Sequence, residues 1–310
     1  MEIKKIVVGM DFSEASEIAV QHAMRIARHA GAEVVLVHVG TVLATGEPVS
    51  HITSTTREQW EALLREELSE VRDNLEAVCE RLRGQGVTLS HMIRDGFADN
   101  GLTDAASELG ADLLLVGTHG RTGLKRFFLG SISERVVRLS RTSVMVARPP
   151  GASDGGGYKR ILVPTDFSLP AAAALQYAFA MAAPDAHIDL VHFWQMPLAA
   201  TTPYAPFQAA EEALGSVRQA MAHSVEQTGQ ELLEKHLREG MEVRFKSNEA
   251  APGHGIQELL EETPYELVVM GSHGRRGLSR LLLGSIAEVT TRHANCSVVV
   301  VRSDEDRDDA

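Results

Sequence analysis

Ile6-Val7-Val8-Gly9-Met10-Asp11-Phe12-Ser13 is followed, 155 residues further on, by Ile161-Leu162-Val163-Pro164-Thr165-Asp166-Phe167-Ser168. Each stretch is an apolar run closing on an aspartate and a serine, the pattern of a buried strand that stops at a helix start. Three more matches extend the correspondence. Leu36-Val37-His38-Val39 returns as Leu190-Val191-His192-Phe193, Gly117-Thr118-His119-Gly120-Arg121 as Gly271-Ser272-His273-Gly274-Arg275, and Gly130-Ser131-Ile132 as Gly284-Ser285-Ile286, each at an offset of 154. So constant an offset is the duplication of a whole domain, since solenoid repeats run about 20–50 residues. The expected organisation is a first domain over residues 1–149, a linker over 150–157, a second domain over 158–303 and an acidic tail over 304–310. The linker assignment rests on its Pro, Gly and Ser content, which disfavours regular structure.

Within the first half, apolar runs without polar alternation (residues 3–9, 33–39, 87–93, 113–116 and 144–147) alternate with stretches of helical period (14–30, 57–83, 101–109 and 131–140). That alternation predicts an α/β fold with a parallel sheet covered on both faces. Ligands of such sheets sit beyond the carboxyl ends of the strands, at the topological switch point. The repeated motifs fall at those ends.

Composition narrows the partners. With 30 Lys+Arg against 42 Asp+Glu the formal net charge is −12, a poor match for nucleic acid or an anionic membrane. Two cysteines, Cys79 and Cys296, make no disulfide framework, and no apolar run approaches the ~18–20 residues of a membrane span. The amino terminus enters a strand directly and lacks a signal-peptide layout, so a cytoplasmic location is expected. No metal-ligand spacing, P-loop or Gly-x-Ser-x-Gly is present.

The chemistry-bearing element is Gly117-x-x-Gly120, nine residues, Gly130-Ser131, with its twin Gly271-x-x-Gly274, nine residues, Gly284-Ser285. Glycines let backbone amides approach phosphate oxygens, and a helix start adds unpaired N–H groups and a positive dipole end. Arg121, Lys125 and Arg126, and Arg275, Arg276 and Arg280, lie between. The bland alternative is a tight turn with Ser131 and Ser285 as helix caps, because Ser131-Ile132-Ser133-Glu134 and Ser285-Ile286-Ala287-Glu288 spell capping boxes. Asp11 and Asp166 can accept from ribose hydroxyls; Asp11 also reads as a helix cap, since Asp11-Phe12-Ser13-Glu14 fits a capping box, whereas Leu169 breaks that pattern after Asp166 and Ser168 reads as the cap there. His119 and His273 read as phosphate donors or as loop braces through a backbone contact, and His38 and His192 as core histidines. No side chain reads as a general base for water attack, so catalysis is expected to be absent or limited to weak ATP hydrolysis.

Val163-Pro164-Thr165-Asp166-Phe167-Ser168, Gly271-Ser272-His273-Gly274-Arg275-x-Gly277-Leu278 and Gly284-Ser285-Ile286-x-Glu288 together resemble the universal stress proteins in their tandem form. The resemblance implies two adenine nucleotide α-hydrolase-like (Rossmann-like) domains, each a five-stranded parallel sheet flanked by helices. It implies ATP as ligand, Mg²⁺ left open, with a regulatory, stress-response role; an interaction scaffold without nucleotide and a slow ATPase are the alternatives. Carried over, it assigns Asp11, Val39, Gly117, Gly120, Gly130 and Ser131 to a site in the first half. In the second half it assigns Asp166, Phe193, Gly271, Gly274, Gly284 and Ser285, with Gly9, Pro164, Ile132 and Ile286 lining the pockets. It further implies antiparallel pairing of last strands between domains, or a homodimer. Phe193, bulkier than Val39, is expected to crowd the adenine, and Ala250 stands where the first half has Gly96.

Overall fold

The computed structural model describes residues 1–40, 54–119, 129–149, 156–196, 207–236, 240–274 and 283–303. It forms two compact units, one carried by Met1–Gly157 and the other by Tyr158–Leu278 with Gly284–Ser303. The first comprises β1 (Lys5–Gly9), α1 (Glu14–Ala30), β2 (Glu33–Gly40), α2 (Ser54–Leu82), β3 (Leu89–Asp95), α3 (Ala98–Glu108), β4 (Leu113–Gly117), α4 (Ser131–Leu139) and β5 (Ser143–Ala147). The second repeats the order as β6 (Tyr158–Pro164), α5 (Leu169–Met181), β7 (Ala182–Trp194), α6 (Phe207–His236), β8 (Glu242–Glu249), α7 (Pro252–Glu262), β9 (Leu267–Gly271), α8 (Ser285–His293) and β10 (Ser297–Val301).

Every strand pair within a unit is parallel, in the order β3-β2-β1-β4-β5 and β8-β7-β6-β9-β10. Burial on both faces explains the unbroken apolar runs: Ile6, Val7 and Val8 are inaccessible, as are Ile161, Leu162 and Val163. The chain turns back across the sheet between β1 and β4, and between β6 and β9, so each unit has its switch point there.

The helix that follows the first strand packs through small residues. Ala15, Ala19, Ala23 and Ala27 are buried on α1, and Ala171, Ala174 and Ala178 on α5. Ser13 caps α1 by accepting from the Ser16 amide at 3.2 Å, and Gly31 ends it at φ 73°, a left-handed conformation glycine adopts without penalty. Ser168 caps α5 in the same way. No helix among the described residues is long and apolar enough to cross a membrane.

Candidate functional site

Asp11 and Asp166 stand just beyond β1 and β6, at the switch points; the structure corrects the reading of Asp11 as a helix cap and agrees with Ser168 as the cap of α5. The caps are Ser13 and Ser168, two residues on. Each aspartate accepts instead from that serine, from its amide at 3.1 Å and its hydroxyl at 2.5 Å, with identical distances in the two halves. The residue between makes this possible: Phe12 and Phe167 both lie at φ 62°, a strained left-handed conformation for a side chain with a Cβ. Each ring rests against a histidine of the neighbouring strand, Phe12 on His38 at 5.3 Å between centroids and Phe167 on His192 at 4.6 Å. Those histidines make ring-nitrogen hydrogen bonds of 2.7 Å to the carbonyls of Met10 and Thr165. The core histidines of the sequence reading are thus satisfied, and they brace the turn that presents the aspartate.

Gly117 and Gly271 end β4 and β9 beside these turns. A Cβ on Gly117 would lie 2.7 Å from the backbone of Ala15 in α1; on Gly271 it would lie 2.9 Å from Pro170 in α5. Close helix–strand approach therefore demands glycine here independently of any ligand. Beyond the intervening loop the Gly130 amide donates to the Thr118 carbonyl at 2.6 Å, and Gly284 to Ser272 at 2.8 Å, bringing each following helix start back to the strand end. In the second half the Asp166 carboxylate lies 2.5 Å from where a Gly274 Cβ would stand, so aspartate turn and glycine motif converge.

The capping-box reading of Ser131 and Ser285 is corrected as well. Gly130 and Gly284 occupy the cap position, and the serines are the first residues of α4 and α8, exposed and without a hydrogen-bond partner among the described residues. A helix start of this kind offers amide donors and a hydroxyl to an anion. The Nδ1 atoms of His119 and His273 meet the hydroxyls of the preceding residues, Thr118 at 2.9 Å and Ser272 at 3.0 Å. Gly120, Arg121, Lys125 and Arg126, and Arg275, Arg276 and Arg280, lie outside the described residues.

The remaining expected positions ring the same strand ends. Val39 lies over Gly101 of α3, where a Cβ would come within 2.7 Å of it; Phe193 lies over Gly255 of α7, where the distance would be 2.2 Å. Phe193 is only 7% exposed, seated in the space that Gly255 leaves. Gly9 faces Leu102, Pro164 replaces it on β6, Ile132 is 41% exposed, and Ile286 approaches Gly253. The loop after the third strand keeps its closing bond despite the change from Gly96 to Ala250: Gly96 donates to Gly40 at 3.2 Å and Ala250 to Trp194 at 3.0 Å.

Two contributors escaped the sequence reading. Ser133 is buried and donates to the Gly117 carbonyl at 2.7 Å, tying α4 to the end of β4. Phe12 and Phe167 set the aspartate turn through their positive φ, and the Asp-Phe-Ser triplet common to both halves is the signal for it.

A parallel five-stranded sheet with a glycine turn and a helix start at its switch point defines each half as a Rossmann-like α/β domain. The model of the universal stress protein family matches residues 2–148 and again 157–302, and the chain belongs to that family. A universal stress protein of Mycolicibacterium smegmatis is 28% identical over 306 residues, covering 96% of each chain. One from Methanocaldococcus jannaschii is 34% identical over 148 residues, 47% of this chain and 83% of its own length. The crystal structure of a universal stress protein from Archaeoglobus fulgidus shares the fold along 97% of this chain and 99% of its own, with a TM-score of 0.62 at 20% identity.

Proposed function

We propose that each half binds ATP at its switch point and that occupancy rather than turnover is the function, a ligand-dependent switch in a stress response. The observation that carries this reading is the twofold convergence at the strand ends: aspartate turn, glycine-ended strand and the helix start bearing Ser131 or Ser285. The helix start suits the phosphates, the Asp11 and Asp166 carboxylates suit ribose hydroxyls, and Val39 and Phe193 supply apolar surface for a base. Gly120, Arg121, Gly274, His119, His273 and Arg275 belong to the same proposal, as do the lining positions Gly9, Pro164, Ile132 and Ile286.

The test is equilibrium dialysis of labelled ATP against the full chain, with and without Mg²⁺. Ser131→Ala and Ser285→Ala remove exposed hydroxyls that cap nothing, so stability stays within about 0.5 kcal/mol of wild type. Each substitution removes a charge-assisted hydrogen bond, and affinity in its own half falls about 10–100-fold. Absence of ATP retention by the wild type at millimolar nucleotide refutes the proposal.

A further inference from the structure

A second cavity, of about 280 Å³, opens on the other end of the second domain's sheet, lined from β6, β7, β8 and the segment between α7 and β9. Arg160 and Asp189 each precede the carboxyl-end positions Pro164 and Phe193 by four residues, roughly 13 Å of strand. It is therefore separate from the candidate nucleotide site. The parallel register sets Arg160 beside His187, His187 beside Glu242 and Asp189 beside Arg244, all on one face of the sheet.

The donor and acceptor inventory of this cavity is lopsided. The Asp189 carboxylate, mostly buried, accepts from the Tyr265 hydroxyl at 2.6 Å and pairs with Lys246 at 3.0 Å. Glu242 pairs with His187 at 2.6 Å and with Arg244. Both carboxylates thus already have two donors each. On the other side stand Arg160, whose guanidinium makes no ion pair among the described residues, the further N–H groups of Arg244 and Lys246, and the Thr263 hydroxyl. Three permanent cations face two carboxylates, in a protein whose net charge is −12.

The duplication supplies a control. The corresponding first-half positions are Val35 for Asp189, Met92 for Lys246, Ala111 for Tyr265, Ser90 for Arg244 and Leu109 for Thr263. Val35 pairs with Ser90 in the same register as Asp189 with Arg244. Lys5 and Glu33 stand where the second half has Arg160 and His187, in the same register, and pair at 2.8 Å, so the first half carries one matched ion pair at this place and no counterpart of the Asp189, Arg244 and Lys246 charges. The second half puts His187 where that carboxylate stands, which leaves Arg160 without the acidic partner of Lys5, and it adds the partly buried Asp189 and Lys246, whose burial costs free energy unless they are well matched.

We propose that this cavity binds a small oxyanion, a carboxylate- or phosphate-bearing molecule whose acceptors meet Arg160, Arg244 and Lys246. Guanidinium groups suit both chemistries because their forked N–H groups match carboxylate and phosphate oxygens. The volume exceeds that of a lone phosphate ion and leaves room for a small organic frame.

Isothermal titration calorimetry of the full chain, with citrate and with inorganic phosphate as separate probes at low ionic strength, tests this and separates the two chemistries. Binding of at least one probe is expected, weakened about tenfold or more by Arg160→Gln with Arg244→Gln, since each removes charge-assisted hydrogen bonds. Both side chains are solvent-exposed, so folding is retained, and circular dichroism checks it. Arg160→Gln alone moves affinity in the same direction. The Ser131→Ala, Ser285→Ala protein retains the binding, which separates this cavity from anion uptake at the helix starts. No heat from either probe at millimolar concentration, or equal affinity in the double arginine variant, overturns the proposal.

Discussion

Gly117→Ala is the sharpest test of the packing that shapes the site. The added methyl would sit 2.7 Å from the carbonyl carbon and oxygen of Ala15 and 2.8 Å from its Cβ. Carbon atoms in contact rest about 3.5–4.0 Å apart, so the shortfall is about 0.8 Å. The obstruction is the first turn of α1, backbone that no rotamer change can clear. Over-packing of this kind costs about 1–3 kcal/mol, and a backbone obstacle places Gly117→Ala at the upper end. At about 2–4 °C per kcal/mol for a domain of this size, the first unit's calorimetric transition falls by roughly 4–12 °C. Gly271→Ala meets Pro170 and Ala171 at 2.9–3.1 Å and shifts its own unit less. Scanning calorimetry of the full chain reads both variants. A Gly117→Ala protein that melts within about 1 °C of wild type refutes the close approach of α1 to β4 and, with it, the claim that this glycine is required without ligand. The same clash makes Gly117 a poor probe of nucleotide contact, since lost binding would follow from displaced packing.

Two further outcomes follow from the bracing of the site and from the second cavity. His38→Ala strips the Met10 carbonyl of its 2.7 Å partner and Phe12 of its stacking surface; a stability loss of about 1–3 kcal/mol in urea titration accompanies weaker ATP binding, and a change in neither discards the bracing role. The Tyr265 phenol is pushed well above its usual value of 10.0, first by burial and then by its hydrogen bond to Asp189. The folded chain therefore holds this proton more tightly than the unfolded chain. That stability is complete below pH 10 and is lost as pH rises above it, so between the two titrations wild type loses stability up to about 1.4 kcal/mol per pH unit more steeply than Tyr265→Phe. Parallel stability curves for the two proteins above pH 10 contradict that arrangement.

The strand–aspartate–helix punctuation was legible in the residues because it is local. The period changes from an unbroken apolar run to a helical stripe within a few positions, and α1 begins and ends at the residues the pattern marks. Cap identity was legible after Asp166, where Leu169 breaks the capping-box pattern and Ser168 caps α5, but not after Asp11 or at Ser131 and Ser285. Asp11-Phe12-Ser13-Glu14 satisfies the capping-box pattern, but Phe12 turns left-handed and the cap falls on Ser13, with the Phe12 ring resting on a histidine 26 residues further along the chain. Ser131 lost its cap role to Gly130, which must pass within hydrogen-bonding reach of Thr118, a contact across a long loop. The second cavity was hidden for a similar reason. Arg160, Asp189 and Arg244 are dispersed in sequence and meet on one face only through the parallel register, and Tyr265 joins them from the segment before β9.

The two halves keep the aspartate turn to the same distances while their base-side residues diverge, and the divergence makes a prediction of its own. Phe193 is larger than Val39, which suggested a crowded second site, yet its ring lies over Gly255 with only 7% exposed. Val39 uses Gly101 in the same manner, so each half pairs the strand residue with a helix glycine that receives it. In the second half that pairing is what keeps a phenyl ring out of the space beyond the strand ends. A methyl at Gly255 would stand 2.2 Å from one ring carbon and 2.5 Å from the next, and the ring has a rotatable side chain where the helix backbone does not. Gly255→Ala therefore displaces Phe193 toward solvent at the carboxyl end of β7, the place proposed for the base. In a Ser131→Ala background, where the first half is weakened, dialysis should show ATP occupancy of the second half falling, while the stability of that unit drops by no more than the ~1–3 kcal/mol of an over-packed core. Unchanged occupancy together with the lowered melting temperature would mean that the ring moves but meets no nucleotide, and Phe193 would leave the site.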